Sequence, residues 1–277
     1  MLPRLGFGYT SLTMSIPAKF QQALARGLVA LRSPAARLRR AASKVILLFA
    51  LVSALAAAAT PPNSPPLTVL VFGGSGQLGS LVARAALADG HKVSVFARES
   101  SNMQRLQGLP VTVIRGDVRV AADVDRALKS QSFDIVVDAL GRSESGVEFY
   151  EQAAQHITRA AAATGVKHLI HHGSVGVAES RAAYPPNRFP ERSPLFVSKG
   201  AAEKLVRDSG ITYTIIRNAV LRPLPAGQED RAQLLEDPLT FGAVSREGVA
   251  RLTVQCFRDP RCTNRTFHAI DAGIQYQ

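Results

Sequence analysis

From Leu67 onward, short apolar runs alternate with longer amphipathic segments. The runs Val69–Phe72, Val93–Ala97, Val111–Arg115, Ile135–Ala139, His168–His172 and Thr212–Ile216 read as strands. The segments Leu78–Ala88, Ala121–Lys129, Phe149–Ala163 and Ser198–Asp208 carry the apolar spacing of helices. Near-continuous Val/Ile/Leu runs suit strands covered on both faces. Strand–helix–strand alternation predicts an α/β fold: a doubly wound parallel sheet with right-handed crossovers. No internal repeat is visible. Val177–Ser193, "VAESRAAYPPNRFPERS", has three prolines and little periodicity, and reads as a long loop over the carboxyl edge of the sheet. Beyond Pro223 the pattern weakens to a small helix-rich cap and a final strand near Thr266–Ile270.

The first strand runs into "GGSGQLG", where Gly73, Gly76 and Gly79 give a G-x-x-G-x-x-G spacing. A strand stands immediately before it, a helix immediately after, and a second strand beyond, which is the setting a dinucleotide loop requires. Gly73 lets the chain leave the strand in a tight turn. Gly76 leaves the backbone open to a diphosphate, and Gly79 lets the helix pack close to the sheet. The diphosphate then rests on the free N–H groups at the positive end of the helix. An acidic residue ending the second strand would bond the ribose hydroxyls of NAD. This chain has Arg98, whose guanidinium suits the 2′-phosphate of NADP. Asp117, just after the third strand, is placed either to accept from an adenine amino group or to cap its own loop.

Charge changes the picture only at the N-terminus. The net charge of +12 first suggests a nucleic-acid partner. Residues 1–60 hold no Asp or Glu and eight basic groups: Arg4, Lys19, Arg26, Arg32, Arg37, Arg39, Arg40 and Lys44. Subtracting these eight from +12 leaves +4 for the remainder, an ordinary surface excess that argues against nucleic acid. Residues 1–66 are a basic leader with a hydrophobic segment, Val45–Ala59, and a proline-rich linker, "TPPNSPP"; residues 67–277 are the globular domain. Basic, then apolar, then small residues in an A-x-A pattern is the layout of an export signal. The apolar run is short of the roughly 20 residues that span a bilayer comfortably, yet with flanking alanines it suits an uncleaved membrane anchor. Arg39-Arg40 resembles a twin-arginine signal. An organelle transit peptide and a helix packed on the domain are the other readings. Cys256 and Cys262, in "CFRDPRC", read either as a small disulfide loop or as two thiols; without histidine partners they are not a metal site.

"VLVFGGSGQLGSLVARAALADGHKVSVFAR", "VIRGDVRVAADVDRAL", "DIVVDALG" and "SKGAAEKLVRDSGITYTIIRN" together resemble the NmrA-like, atypical short-chain dehydrogenase/reductase group, which includes the flavin and biliverdin reductase type. The resemblance spans Leu67 to Arg222. It implies a Rossmann-type domain binding NADP(H), with Ser75, Gln77 and Leu78 joining the diphosphate loop. It places Leu140 and Gly141 along the cofactor and Ser174 facing the nicotinamide. Most members of the wider superfamily use Tyr-x-x-x-Lys, where the phenol moves the proton. Here Leu195 stands four residues before Lys199, and Phe196 is no substitute. Lys199 is left to hold the nicotinamide ribose or to sit solvated at a helix start. The implied activity is an NADPH-dependent oxidoreductase reducing an electrophilic small-molecule acceptor, such as a flavin or quinone, with Ser174 as the polar group nearest the chemistry. Tyr184, on the long loop, is a second candidate acid. His171 and His172 read as structural, and Arg217-Asn218 as lining the nicotinamide pocket or capping a strand. The alternative is a non-enzymatic NADP-binding redox sensor or membrane-tethered assembly factor.

Overall fold

Every apolar run from Val69 to Ile216 becomes a strand. The computed structural model describes residues 64–141, 148–183 and 193–275, which apart from Ser64 belong to the unit Pro65–Gln277. The expectations placed on Val45–Ala59 and on Tyr184 lie outside the described residues. Strands β1 (Thr68–Phe72), β2 (Lys92–Ala97), β3 (Thr112–Arg115), β4 (Ile135–Asp138), β5 (His168–Ser174) and β6 (Tyr213–Asn218) alternate with helices α1 (Gln77–Ala88), α2 (Ala121–Lys129), α3 (Phe149–Ala163) and α4 (Pro194–Asp208). Helix α4 starts at Pro194 rather than Ser198. Proline suits a first helical turn because its fixed φ is helical and its missing N–H would have had no partner there. Of the expected loop Val177–Ser193, the described part includes a 3-10 turn, Ala178–Ala183.

Around and beyond Pro223 the C-terminal part is small, as expected, but not helix-rich. It holds one α-helix, α5 (Arg246–Gln255), among the described residues, with short strands β7 (Val220–Arg222), β8 (Gln233–Leu235), β9 (Ala243–Ser245) and the longer β10 (Arg265–Ile270). Three-residue strands offer too few positions for a period of two to show. β10 lies parallel to β6, β8 closes the edge antiparallel to β10, and β7 pairs with β9 separately. The main sheet runs β3-β2-β1-β4-β5-β6-β10-β8 among the described residues. Strand order therefore reverses between β1 and β4, and a doubly wound sheet opens its ligand crevice at such a point.

Burial follows the alternation of the strands. Val69 and Val71 of β1 pack with Val82 and Ala86 of α1 and Val249 of α5 on one face. Leu70 and Phe72 pack with Val124, Ile157 and Val206 of α2, α3 and α4 on the other. These four apolar side chains of β1 are fully buried, each contributing about 1.5–3 kcal/mol relative to exposure. The strand carrying the glycine turn is thus fixed from both sides. Cys256 and Cys262 form a disulfide, with Cα atoms 5.4 Å apart, which ties the end of α5 to the turn before β10.

Candidate cofactor-binding site

The crevice at the switch point is a cavity of about 490 Å³. Its floor is the turn after β1. Gly73 turns at φ +74°, in the left-handed region that favours glycine, and a Cβ there would stand 2.6 Å from the Ala139 carbonyl oxygen. Gly76 is the N-cap of α1 and donates its amide to the Gly73 carbonyl at 2.9 Å. A Cβ at Gly76 would meet only that carbonyl, at 3.1 Å, so the approach from the cavity is open. At Gly79 a Cβ would lie 2.3 Å from the Gly73 oxygen; this glycine lets the helix close on the turn itself. Gly74, which the glycine spacing passes over, is equally constrained, since a Cβ there would overlap Val95 at 1.9 Å. Ser75 lines the cavity beside Gly73 and Gly76, while Gln77, Leu78 and Gly79 form the first turn of α1. That turn has neither an acidic residue nor a side-chain cap, so its N–H groups and positive end face an anion without competition. These residues fit a dinucleotide diphosphate.

Arg98 follows β2 directly and lines the cavity with Phe96, Asp117 and Arg119. An adjoining hollow of about 440 Å³ shares Arg98, Gly116, Asp117 and Arg119 and adds Arg115 and Arg126. Three of these arginines have carboxylate partners: Arg115 with Glu99 at 3.8 Å, Arg119 with Asp117, and Arg126 with Asp123 at 2.8 Å. Among the described residues Arg98 makes no ion pair, which leaves its guanidinium available to a phosphate. Asp117 is already engaged. Both its oxygens accept from Arg119 Nε at 3.0 Å, and Oδ1 also accepts the Arg119 amide at 3.0 Å. The Arg119 hydrogen bond holds the Asp117 carboxyl below its usual range. An adenine amino group would share that carboxylate with Arg119.

The opposite wall is Leu140 and Gly141. Asp138, the last residue of β4, accepts the Leu140 amide at 3.1 Å, and its other oxygen meets His171 Nδ1 at 2.8 Å. Both partners are buried. Burial pushes the Asp138 carboxyl up, but the His171 bond and charge, with the Leu140 amide, outweigh it and hold it low. Tyr150, in the first turn of α3, donates its hydroxyl to the Gly141 carbonyl at 2.8 Å. Lys199, in the second turn of α4, is half-buried with Nζ 4.8 Å from the centre of the Tyr150 ring, and is not the solvated lysine of one reading. Burial lowers its pKa, with Asp138 and Glu203 opposing. Ser174 ends β5 half-buried and donates its hydroxyl to the Val175 carbonyl at 3.1 Å. Neither Ser174 nor Lys199 lines the glycine-loop cavity.

His172 is buried against Thr253, with Nε2 and the hydroxyl 3.2 Å apart, and burial lowers its pKa to about 4, so it is neutral at pH 7. Asn218 lies beside it and favours its charged form, against the burial that dominates. Arg217 is buried and bonded to Glu203, away from the cavity lining. The sequence reading left out Asp138 and Tyr150. The one available signal for Asp138 was an acid ending an otherwise apolar strand in "DIVVDALG". Among the described residues no group of His, Cys, Asp or Glu is placed to hold a metal, and no helix is long and apolar enough to cross a membrane.

A glycine turn at a switch point, an uncapped helix terminus and a basic adenosine end define a Rossmann dinucleotide-binding domain. More particularly, the chain belongs to the NAD(P)H-binding family, which it matches over residues 73–260. Sanguinarine reductase from Eschscholzia californica is 25% identical over 250 residues, 74% of this chain and 89% of that protein. The solved structure of ChuY, an anaerobillin reductase from Escherichia coli O157:H7, shares the fold with a TM-score of 0.67 and 21% identity, covering 76% of this chain and 100% of that one. A short-chain dehydrogenase/reductase from Veillonella parvula, solved in complex with NADP, gives a TM-score of 0.62 at 17% identity over 76% of this chain and 97% of that one.

Proposed function

We propose that the chain is an NADPH-dependent reductase that passes hydride to an already electrophilic small-molecule acceptor, a flavin or a quinone, without a tyrosine acid. One observation carries this reading. The cavity is built from the glycine turn to Leu140–Gly141, yet the residue four before Lys199 is Leu195, which has no proton to give. When bound, NADPH supplies a hydride from its nicotinamide ring. The N-terminus of α1 holds the diphosphate, Arg98 the 2′-phosphate, and Lys199 the nicotinamide ribose. Ser174 offers a hydroxyl at the acceptor end. Reduced flavins and quinones take their protons from water, whereas a simple ketone needs an acid aimed at its oxygen. The names of similar proteins, sanguinarine reductase and anaerobillin reductase, support a reductase. The purified protein is expected to oxidise NADPH with flavin mononucleotide or a benzoquinone and to leave cyclohexanone untouched. Ketone reduction at a comparable rate would reveal an acid and overturn the tyrosine-free mechanism.

We also propose that the leader containing Val45–Ala59 directs the chain to a membrane or through one. The basic, acid-free stretch ahead of that apolar run supports this, as does the Cys256–Cys262 disulfide, a bond that persists in oxidising compartments. Fractionation of the tagged full-length protein is expected to place it with membranes or in an exported or organellar fraction. Recovery in the soluble cytosol with an intact N-terminus would contradict it.

A further inference from the structure

Four arginines stand around the hollow that adjoins the cofactor cavity, and two of them are committed. Arg119 lies against Asp117, with Nε 3.0 Å from each carboxylate oxygen. Arg126 donates to Asp123 at 2.8 Å and to the Arg115 carbonyl at 3.1 Å. Among the described residues the other two, Arg98 and Arg115, have no carboxylate within hydrogen-bond distance. The sheet brings these two together. In the parallel pairing of β2 and β3, Arg115 stands opposite Ala97, the residue before Arg98. From there Arg115 Nη1 donates to the Arg98 carbonyl at 2.8 Å. The same carbonyl accepts the Ser101 amide at 3.0 Å, so the turn after β2 is tied both to itself and to β3. The counter-ion of Arg115 is loose: Nε is 3.8 Å from Glu99, whose side chain is 83% exposed. Among the described residues Arg115 Nη2 makes no hydrogen bond.

We propose that Arg115 is a second specificity-determining residue of the cofactor site: one arm of its guanidinium holds the Arg98 turn, and the rest of the fork meets the same 2′-phosphate. The proposal rests on the NADP(H) reading of the cavity. A phosphate monoester carries about two negative charges and three strong acceptor oxygens at pH 7. One guanidinium grips two of those oxygens at most. Arginines from adjacent strands, already joined by a hydrogen bond, take it from two sides. Glu99 gives way easily, because a water-exposed pair at that distance contributes little. NADH has a hydroxyl in place of the phosphate, so Arg115 gains no charged partner from it.

The experiment is calorimetric titration of NADPH and NADH into the full-length wild type, Arg115→Ala, Arg115→Gln, Arg98→Ala and the double variant Arg98→Ala/Arg115→Ala. All are compared at one low salt concentration, because salt screens exposed charges. Arg115→Ala is expected to weaken NADPH binding about tenfold and to leave NADH unchanged, as a charged hydrogen bond is lost. Arg115→Gln, which keeps an N–H donor for the turn without the charge, should lose as much. The double variant is expected to bind NADPH more weakly than Arg98→Ala alone, the sign of a phosphate contact that does not run through Arg98. A wild type that binds NADPH no better than NADH would overturn the NADP(H) reading and this role with it. In a wild type that prefers NADPH, three results would each overturn the role of Arg115 alone: a preference intact in either Arg115 variant, an equal loss for both cofactors, or a double variant no weaker than Arg98→Ala.

Discussion

Replacing Glu203 with alanine is expected to destabilise the fold by about 3–5 kcal/mol, toward the lower end of that range. Glu203 and Arg217 are 0% and 1% exposed, so neither charge has water to fall back on. Arg217 Nε donates to both Glu203 oxygens, at 3.1 and 3.2 Å, and Nη2 donates at 2.8 Å. Burial works against the Arg217 charge, and Glu203 and Glu179 together outweigh it. Removing Glu203 leaves the guanidinium with Glu179, 2.9 Å from Nη1 and half-exposed, which softens the loss without cancelling it. The pair also braces the end of β5: a Cβ at Gly173 would stand 2.4 Å from Glu203 Oε1, so carboxylate and strand fit closely just before Ser174. Replacing both partners by Leu and Met is expected to cost far less, since no lone charge remains buried. Urea unfolding of the single and double variants checks this. A loss below about 1 kcal/mol for Glu203→Ala would mean that water reaches the pair.

Arg98→Ala is expected to weaken NADPH binding by about ten- to a hundredfold and to leave NADH nearly unchanged. A hydrogen bond to a charged group contributes roughly 1.5–3 kcal/mol, and about 1.4 kcal/mol is tenfold in affinity. In the proposed binding mode Arg98 meets the adenosine end, where only NADP carries a phosphate. Among the described residues its guanidinium has no carboxylate partner, in contrast to Arg115, Arg119 and Arg126 beside it. Binding a phosphate there breaks no existing ion pair. The glycine turn proposed to hold the diphosphate lies between β1 and α1, so losing Arg98 is not expected to disturb what the two cofactors share.

The parts of this arrangement that were legible in the sequence are those set by local chemistry. The Val/Ile/Leu runs gave strands β1 to β6, because strands covered on both faces need apolar residues throughout; β3, at the sheet edge, is the least covered of them. The glycines of the turn were readable from their spacing between a strand and a helix; Gly73 needs its positive φ, and at Gly79 a Cβ would stand 2.3 Å from the Gly73 oxygen. What escaped depends on residues meeting across the fold. Asp117 was readable as an acid after a strand, but nothing in "RGDVR" says that Arg119 folds back onto both its oxygens. Asp138 and His171 are 33 positions apart and meet only because β4 and β5 pair in register. The spacing of Cys256 and Cys262 allowed a bond or two thiols; the turn that brings their Cα atoms to 5.4 Å decided it. After Pro223, β8 and β9 have three residues each, too few to show a period, whereas the longer β10 was legible.

The proposed site is expected to tell NADPH from NADH through Arg98. Calorimetric titration of NADPH and NADH into wild type and Arg98→Ala measures it as the ratio of the two affinities. The predicted result is a wild type that prefers NADPH and a variant in which that preference falls by about ten- to a hundredfold while NADH affinity holds. An equal loss for both cofactors, or no loss for either, would contradict it.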